Sequence, residues 1–411
     1  MNRRWIVVAG APFVPAQDGG EREHLGFVEA LLARGWLGGV VVPTDEHPDK
    51  LGRTDDLNGL RELVAPAPVL LTPRRRSLGA AVQLGKPYVV ASRPAPKSLA
   101  ARVGMQVPDA TGVVVFAFKS RQPGQLIAEQ LGLPAVLRHH NLEEPYHRAL
   151  AGSLRPPKSW VVRLEARRVG AEERRLERAR WLSGIGDISL TDATVRQQRS
   201  AVPVAHVPTF ALGPHSPAAA TAQPWRPPAD PIVTFLGALH VGTNHDALEW
   251  FATNVWPLVH ESNPAAVWRI VGRSPTKGVR DLVARTPQSE LHPDVADPGQ
   301  WLRDSSLAVN PTVSGSGVNI KLVEYLSVGV PVVSTTKGMS GLGLTAGEDL
   351  AVADSAADFA HAVLGLLADR QWSHRMGAAG RATAARVLNV DRSLDTIAEL
   401  MDSAGWTERT K

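Results

Sequence analysis

The chain has 411 residues, 44% hydrophobic and 21% charged, the balance of a globular protein rather than a disordered or fibrous one, and enough length for two domains. It contains no cysteine, which excludes disulfides, zinc-thiolate sites and cysteine nucleophiles. The net charge of +5 is unevenly divided: residues 1–210 hold 29 Lys and Arg against 20 Asp and Glu, and the remainder 16 against 20, so the first half is the basic one.

The opening MNRRWIVVAGAPFVPAQ imitates a signal peptide, with Arg3 and Arg4 ahead of a short apolar run. Pro12 and Pro15 break that run, and WIVVAG reads better as the first strand of an α/β domain, followed by a glycine loop and a helix. No run reaches the roughly 20 apolar residues of a membrane span, so a cytoplasmic location is expected. Arg74, Arg75 and Arg76, with Arg93, Lys97 and Arg102 close by in sequence, are expected to form a surface attractive to anionic lipid or to an acidic acceptor, which would place the protein at the inner face of a membrane. Scattered solubilising charge is the alternative. These basic runs lack interleaved aromatics and a recognised motif, which argues against nucleic acid.

Further runs, GVVVP, PVLLT, PYVVAS, GVVVFA and PAVLRHH, alternate with helical or loop patterns up to residue 210. The segment from Trp160 to Arg180 mixes Glu165, Glu172, Glu173 and Glu177 with arginines at spacings of three to five, the pattern of a solvated helix face. Residues 211–230, ALGPHSPAAATAQPWRPPAD, hold five prolines and read as a semi-rigid linker. Beyond it PIVTFLG, AVWRIVG, LAVNPTV and VPVVST repeat the earlier alternation. Short, β-branched, nearly uninterrupted runs are what strands covered on both faces look like, so each half is expected to be a doubly wound parallel sheet. The predicted division is 1–210, the linker 211–230, a second domain 231–390, and a C-terminal helix over 391–411 packing back on the first domain. Asn244 or Thr243 is expected to cap the helix HDALEWFATNVWPLVH, and Gly329, with Pro331 beyond it, to end the helix 319–328.

That last helix carries most of the chemistry. LAVNPTV reads as a strand, Gly315-Ser316-Gly317 as a tight turn at its carboxyl end, and Asn319 to Val328 as the helix. A helix starting there aims unpaired N–H groups and a partial positive charge at the place where ligands of open α/β sheets sit, which suits phosphate. Glycine lets the phosphate come close to the backbone, and Lys321 in the first turn adds a full charge. Glu324, a turn further on among Leu322, Val323 and Leu326, needs a partner, either Lys321 or the hydroxyls of a sugar. Neither the dinucleotide fingerprint nor a Walker loop is present, which disfavours NAD enzymes and P-loop ATPases.

With these residues in view, the second half resembles the GT-B glycosyltransferases, and within them the retaining GT4 family, through PIVTFLGALHVGTNHDALEWFATNVWPLVH, AVWRIVG and DVADPGQWLRDSSLAVNPTVSGSGVNIKLVEYLSVGVPVVSTTKGMSGL. The first half resembles it more weakly, through QDGGERE and LRHHNLEEPYH. The resemblance implies two Rossmann-like doubly wound domains facing across a cleft, and transfer of a sugar from a nucleoside diphosphate sugar to a glycan, lipid-linked or small-molecule acceptor, without a metal or other cofactor. It implies a catalytic set of His140, or else His139, with Lys321 and Glu324. The donor would be held by Gly19, Gly20, Gly272, Arg273, Gly315, Ser316, Gly317, Val318, Asn319, Lys321 and Glu324. Glu324 matches the second glutamate of the family's E-x7-E motif, which binds the ribose. Ser316 stands where many members have the first glutamate, and FLGALHVGTNHDAL lacks the usual basic pair for the diphosphate, a duty that Lys321 or Arg273 would take over. No Asp-x-Asp is present, in keeping with metal-independent transfer. A nucleotide-sugar 2-epimerase and a noncatalytic nucleotide-sugar or glycan-binding protein fit the same residues.

Overall fold

The structure is a computed structural model of the chain, and it describes residues 3–16, 19–45, 54–75, 86–152, 154–210, 225–315 and 317–403. It divides into two compact units, Met1–Phe210 with Val390–Lys411, and Ala211–Asn389. Most of the Pro-rich segment, residues 211–224, lies outside the described residues.

The first unit is a parallel sheet of β1 (Trp5–Val8), β2 (Leu37–Asp45), β3 (Val69–Arg74), β4 (Gly112–Phe116), β5 (Ala135–His139), β6 (Gly184–Asp187) and β7 (Val204–His206), in the order β3-β2-β1-β4-β5-β6-β7. Alternation along β1 explains why its whole run is apolar. Trp5 and Val7 enter a core with Phe27, Leu394 and Ile397, whereas Ile6 and Val8 enter the opposite core with Leu99, Val103 and Ile127. PYVVAS is not a strand. Tyr88–Ala91 forms one helical turn behind Pro87, with the Ala91 N–H donating to Pro87 O at 2.8 Å, because β4 lies directly beside β1 and the sheet ends at β3. The strands β6 and β7, GIGD and VAH, are too short and too poor in β-branched residues to announce themselves.

Two buried ion networks hold this unit. Arg138 on β5 and Glu23 are both fully buried; the guanidinium donates to Glu23 Oε1 at 2.9 Å, to Val207 O at 2.9 Å and to Pro208 O at 2.7 Å, and Thr209 Oγ1 donates to Glu23 Oε2. The expectation of a solvated face for Trp160 to Arg180 is overturned for its acids. In the helix Lys158–Leu176 and just beyond it, Glu173 and Glu177 turn inward to Arg196, whose Nη2, Nη1 and Nε reach Glu173, Glu177 and Asp187 at 2.9, 2.8 and 2.9 Å, while Glu172 pairs with Arg121. Burial of those charges is tolerated because each edge of the Arg196 fork meets a carboxylate.

The second unit is a parallel sheet of β8 (Ile232–Ala238), β9 (Val267–Arg273), β10 (Ser289–Pro293), β11 (Leu307–Asn310), β12 (Val332–Ser334) and β13 (Ala351–Val352), in the order β10-β9-β8-β11-β12-β13. Its strands also feed two cores: Phe235, Trp268, Ile270 and Val309 one side, Leu236, Val271, Ala308 and Val332 the other. The helix after β8 begins at Gly242, with Val241 at its cap position and no side-chain cap, so the expected capping by Asn244 or Thr243 does not occur. Asn244 points back instead, Nδ2 donating to Ala238 O at 2.9 Å.

Candidate active site

In the second unit the parallel strands bring Ala238, Arg273, Asn310 and Ser334 to one edge. Strand order reverses between β8 and β11, so the helices leaving these two strands, Gly242–Trp250 and Ile320–Val328, flank the crevice where open α/β sheets take ligands. Gly315 and Gly317 have φ of +94° and +86°, the left-handed region that excludes most side chains, and a Cβ on Gly315 would lie 3.1 Å from Thr243 Cγ2. Ser316 between them lies outside the described residues.

The glycine turn is pinned from both sides of the crevice. Toward β8, Ser314 Oγ donates to Asp246 Oδ2 at 2.6 Å, and Lys321 Nζ donates to Asn244 Oδ1 while lying 4.5 Å above the Phe235 ring. Burial pushes the Lys321 pKa down to about 7. Toward β12, Thr312 Oγ1 donates to Asn310 Oδ1 at 2.8 Å, Asn310 Nδ2 to Ser334 Oγ at 3.2 Å, and Thr335 Oγ1 to Thr312 O at 2.6 Å. Asn319 precedes the helix in extended conformation but does not cap it. Its Nδ2 donates to Gly338 O at 3.1 Å, so no side-chain cap covers the first N–H groups of the helix.

Glu324 is 2% exposed, a turn inside the helix, which ends at Gly329 with φ +86° as its sequence predicted. Tyr325 anchors the inner face, its hydroxyl accepting from Leu236 N at 2.7 Å. Val318 packs on the core below. Arg273 ends β9 beside Ala238 and is exposed. A Cβ on Gly272 would fall 1.8 Å from Gly237 O, so strand packing by itself demands glycine there. Asn244 and Asp246, which fix the turn, were not singled out for this role by sequence, because their partners lie 77 and 68 residues away along the chain.

In the first unit the order reverses between β1 and β4. Gly19 and Gly20 open the helix Gly19–Ala33, and His24 Nδ1 lies 2.6 Å from Gly20 O. His140, just past β5, has its ring 5.7 Å from that of His24 and 5.6 Å from Phe116, and its Nε2 has no hydrogen-bond partner. Burial first, then the charges of His24, Arg138 and Lys119, hold its pKa well below the histidine range, so the ring is neutral. His139 is fully buried with neither ring nitrogen partnered, and His147 Nδ1 turns to Glu143 O at 2.8 Å, so the three histidines do not converge. Among the described residues no group of three or more His, Asp or Glu side chains is arranged to hold a metal ion.

Two further charged groups of the first unit were not singled out by sequence. Lys119 follows Ala117, a non-glycine residue at φ +76°, and its stem lies over Gly10, where a Cβ would come within 2.2 Å of Lys119 Cε. Glu143 has its carboxyl pushed up to about 8 by burial and by Glu173. Of the residues expected to be basic surface, Arg93 is buried and donates to Gly10 O at 3.0 Å, Arg75 and Lys97 are exposed, and Arg76 lies outside the described residues.

Residues 230–369 match the family model described as Glycosyl transferases group 1. A protein of Klebsiella pneumoniae described as an uncharacterized 44.6 kDa protein in the cps region is 26% identical over 148 residues, 32% of this chain and 36% of that one, so the match spans about a third of the curated relative. HepE of Anabaena, solved in complex with UDP and glucose, superposes with a TM-score of 0.58 at 15% identity over 98% of this chain and 100% of its own. Sucrose-phosphate synthase of Thermosynechococcus elongatus does so with a TM-score of 0.62 at 14% identity, over 97% and 98%. The fold of the chain is thus that of the GT-B proteins on which it superposes, and the part of its second unit from residue 230 to 369 is similar to the glycosyl transferases group 1.

Proposed function

We propose that this chain transfers a sugar from a nucleoside diphosphate sugar to an acceptor hydroxyl, retaining the anomeric configuration, in the manner of the GT4 enzymes. The observation that carries the reading is the uncapped start of the Ile320–Val328 helix at the switch point of the second sheet, behind two left-handed glycines, with Lys321 in its first turn and Glu324 buried one turn deeper. As the glycosidic bond breaks, negative charge grows on the departing diphosphate. The N–H groups at Gly317 and Val318, the helix terminus and Lys321 are fixed in advance to stabilise it. Glu324 accepts hydrogen bonds from the ribose hydroxyls. The departing phosphate oxygen takes the acceptor proton on the same face, so no strong protein base and no metal are required. Neutral His140 faces the reacting sugar, and Gly19 and Gly20 lie against donor or acceptor. The acceptor is a glycan, a lipid-linked sugar or a small molecule.

UDP, the nucleotide held by HepE, is the first probe. Thermal-shift titration with UDP and the other nucleoside diphosphates is expected to raise the transition temperature for one base. Glu324→Ala should weaken that nucleotide roughly ten- to hundredfold, the worth of a charge-assisted hydrogen bond, and suppress transfer while leaving the fold intact. Near-normal turnover in this variant would refute the ribose role. Sugar consumption without an acceptor would favour an epimerase, and nucleotide binding without consumption a binding protein.

A further inference from the structure

The helix pair Glu143–Gly152 and Lys158–Leu176 in the first unit carries an outer face that neither the fold nor the donor site uses. The inner side of Lys158–Leu176 is taken up by the Arg196 and Arg121 networks together with Val169 and Leu176 in the core. Yet Trp160, Val161 and Leu164 on the outer side are 64, 66 and 52% exposed, three large apolar groups within two helical turns. Glu144 Oε2 receives Arg174 Nη1 at 2.8 Å, so the two helices run antiparallel and the end of the first, with exposed Leu150, lies at the Trp160 end of the second. Contiguous exposed apolar surface rimmed by polar groups marks a contact site.

The charges around it name the partner. Every exposed charged residue of Lys158–Leu176 is basic: Lys158, Arg163 and Arg167 near the apolar groups, and Arg174 and Arg175 at the far end, where they pair with Glu144 and Glu172. Its acids are withdrawn, Glu172 and Glu173 into the buried networks and Glu165 to the Tyr88 N–H. A twofold contact with a second copy would oppose these cations to one another. A bilayer bearing anionic headgroups complements both features, since Trp and aliphatic side chains enter the interface while arginines stay among the phosphates. We propose that this face docks the protein on an anionic phospholipid membrane. The inference is independent of the donor-site reading, and it moves the contact from the Arg74 to Arg102 region to the Lys158–Leu176 helix. None of the described helices is long and apolar enough to cross a membrane, so the contact is one of lying on the surface.

The test is sedimentation of the full chain with vesicles of phosphatidylcholine, with and without added phosphatidylglycerol. Binding is expected only with phosphatidylglycerol and should fall as salt screens the arginines. Trp160→Ser should lower partitioning roughly tenfold and the triple serine variant at Trp160, Val161 and Leu164 further. Arg163→Gln with Arg167→Gln should cost about fivefold per charge. Circular dichroism checks each fold, and Trp160→Ser alone decides the matter if the triple variant does not fold. Three outcomes overturn the proposal: no sedimentation with phosphatidylglycerol vesicles, undiminished binding by Trp160→Ser, or a concentration-dependent doubling of mass in solution that Trp160→Ser abolishes, which would assign the face to a second copy.

Discussion

Lys321 sits where its own charge is disfavoured, with the Phe235 ring 4.5 Å beneath the ammonium and Asn244 Oδ1 as its acceptor, and burial brings its pKa to about 7. An unfolded lysine titrates near 10.4, roughly, so between about pH 7 and 10 the unfolded chain holds a proton that the folded chain has released. Lys321 therefore makes stability rise with pH across that window, and below it imposes the full cost of a buried cation. A diphosphate arriving beside the ammonium reverses the balance by favouring the charged form. Nucleotide binding above pH 7 should then take up a proton, and affinity should fall by at most about tenfold per pH unit above the free-state pKa. Calorimetric titration with UDP at about pH 8.5, in two buffers of different ionisation heat, should report uptake approaching one proton for the native chain and far less for Lys321→Met. Equal heats in both buffers would separate Lys321 from the diphosphate. His140 is a contrast: its pKa lies so far down that it stays neutral through this range.

The strand, turn and helix from Leu307 to Val328 were legible because their signals are local: a β-branched run, glycines that permit positive φ, a repeating apolar face, and the Gly329 stop before Pro331. What holds these elements in place was not legible, since Asn244 meets Lys321, and Asn319 meets Gly338, only after the chain has folded. The Lys158–Leu176 helix failed in the same way. Its alternating charges satisfy the pattern for a solvated face, and nothing in that stretch announces that Arg196 will arrive from a later helix to bury two of its acids. Gly338 shows how tightly the glycine turn is tied to its neighbours. A Cβ there would stand 2.5 Å from Asn310 Nδ2, 2.5 Å from Ser334 Oγ and 2.9 Å from Asn310 O. These are short buried groups with nowhere to retreat, so Gly338→Ala should cost about 1–3 kcal/mol in stability by overpacking. It should also weaken nucleotide binding, because Asn319 hangs from Gly338 O and sets the start of the helix. Denaturant melts and a UDP titration read the two effects, and an unchanged nucleotide affinity would show that the network does not position the donor turn.

At the scale of the whole chain, length and the proline-rich segment led to two α/β units, and short, β-branched, nearly uninterrupted apolar runs gave both sheets as parallel. The final helix, Val390–Met401, belongs to the first unit although the second unit separates it in sequence. Glycine makes room for it: a Cβ on Gly184 of β6 would lie 2.7 Å from Leu400 Cβ, and one on Gly112 of β4 would lie 2.5 Å from Met401 Sδ. Gly184 is part of why β6 carries so weak a strand signal. Arg34 pairs with Asp391 at 2.8 Å and Asp395 at 2.5 Å, and Arg3 with Asp402 at 2.6 Å, but these pairs are partly exposed and contribute about 0–1 kcal/mol each. Burial decides. Leu394 and Ile397 are fully enclosed with Trp5, Phe27 and Val136, and each is worth about 1.5–3 kcal/mol. Ending the chain at Asn389 should therefore remove much of the first unit's stability, set against the roughly 5–15 kcal/mol of an ordinary domain, and leave the second unit's own cores untouched. Calorimetry should show the transition of the first unit lost or strongly lowered, with that of the second unit in place and still shifted by UDP. Ile397→Ala, a milder change expected to cost about 2–5 kcal/mol, should lower the first transition alone. A truncated chain that melts like the full one would mean that the helix rests on a unit already complete without it.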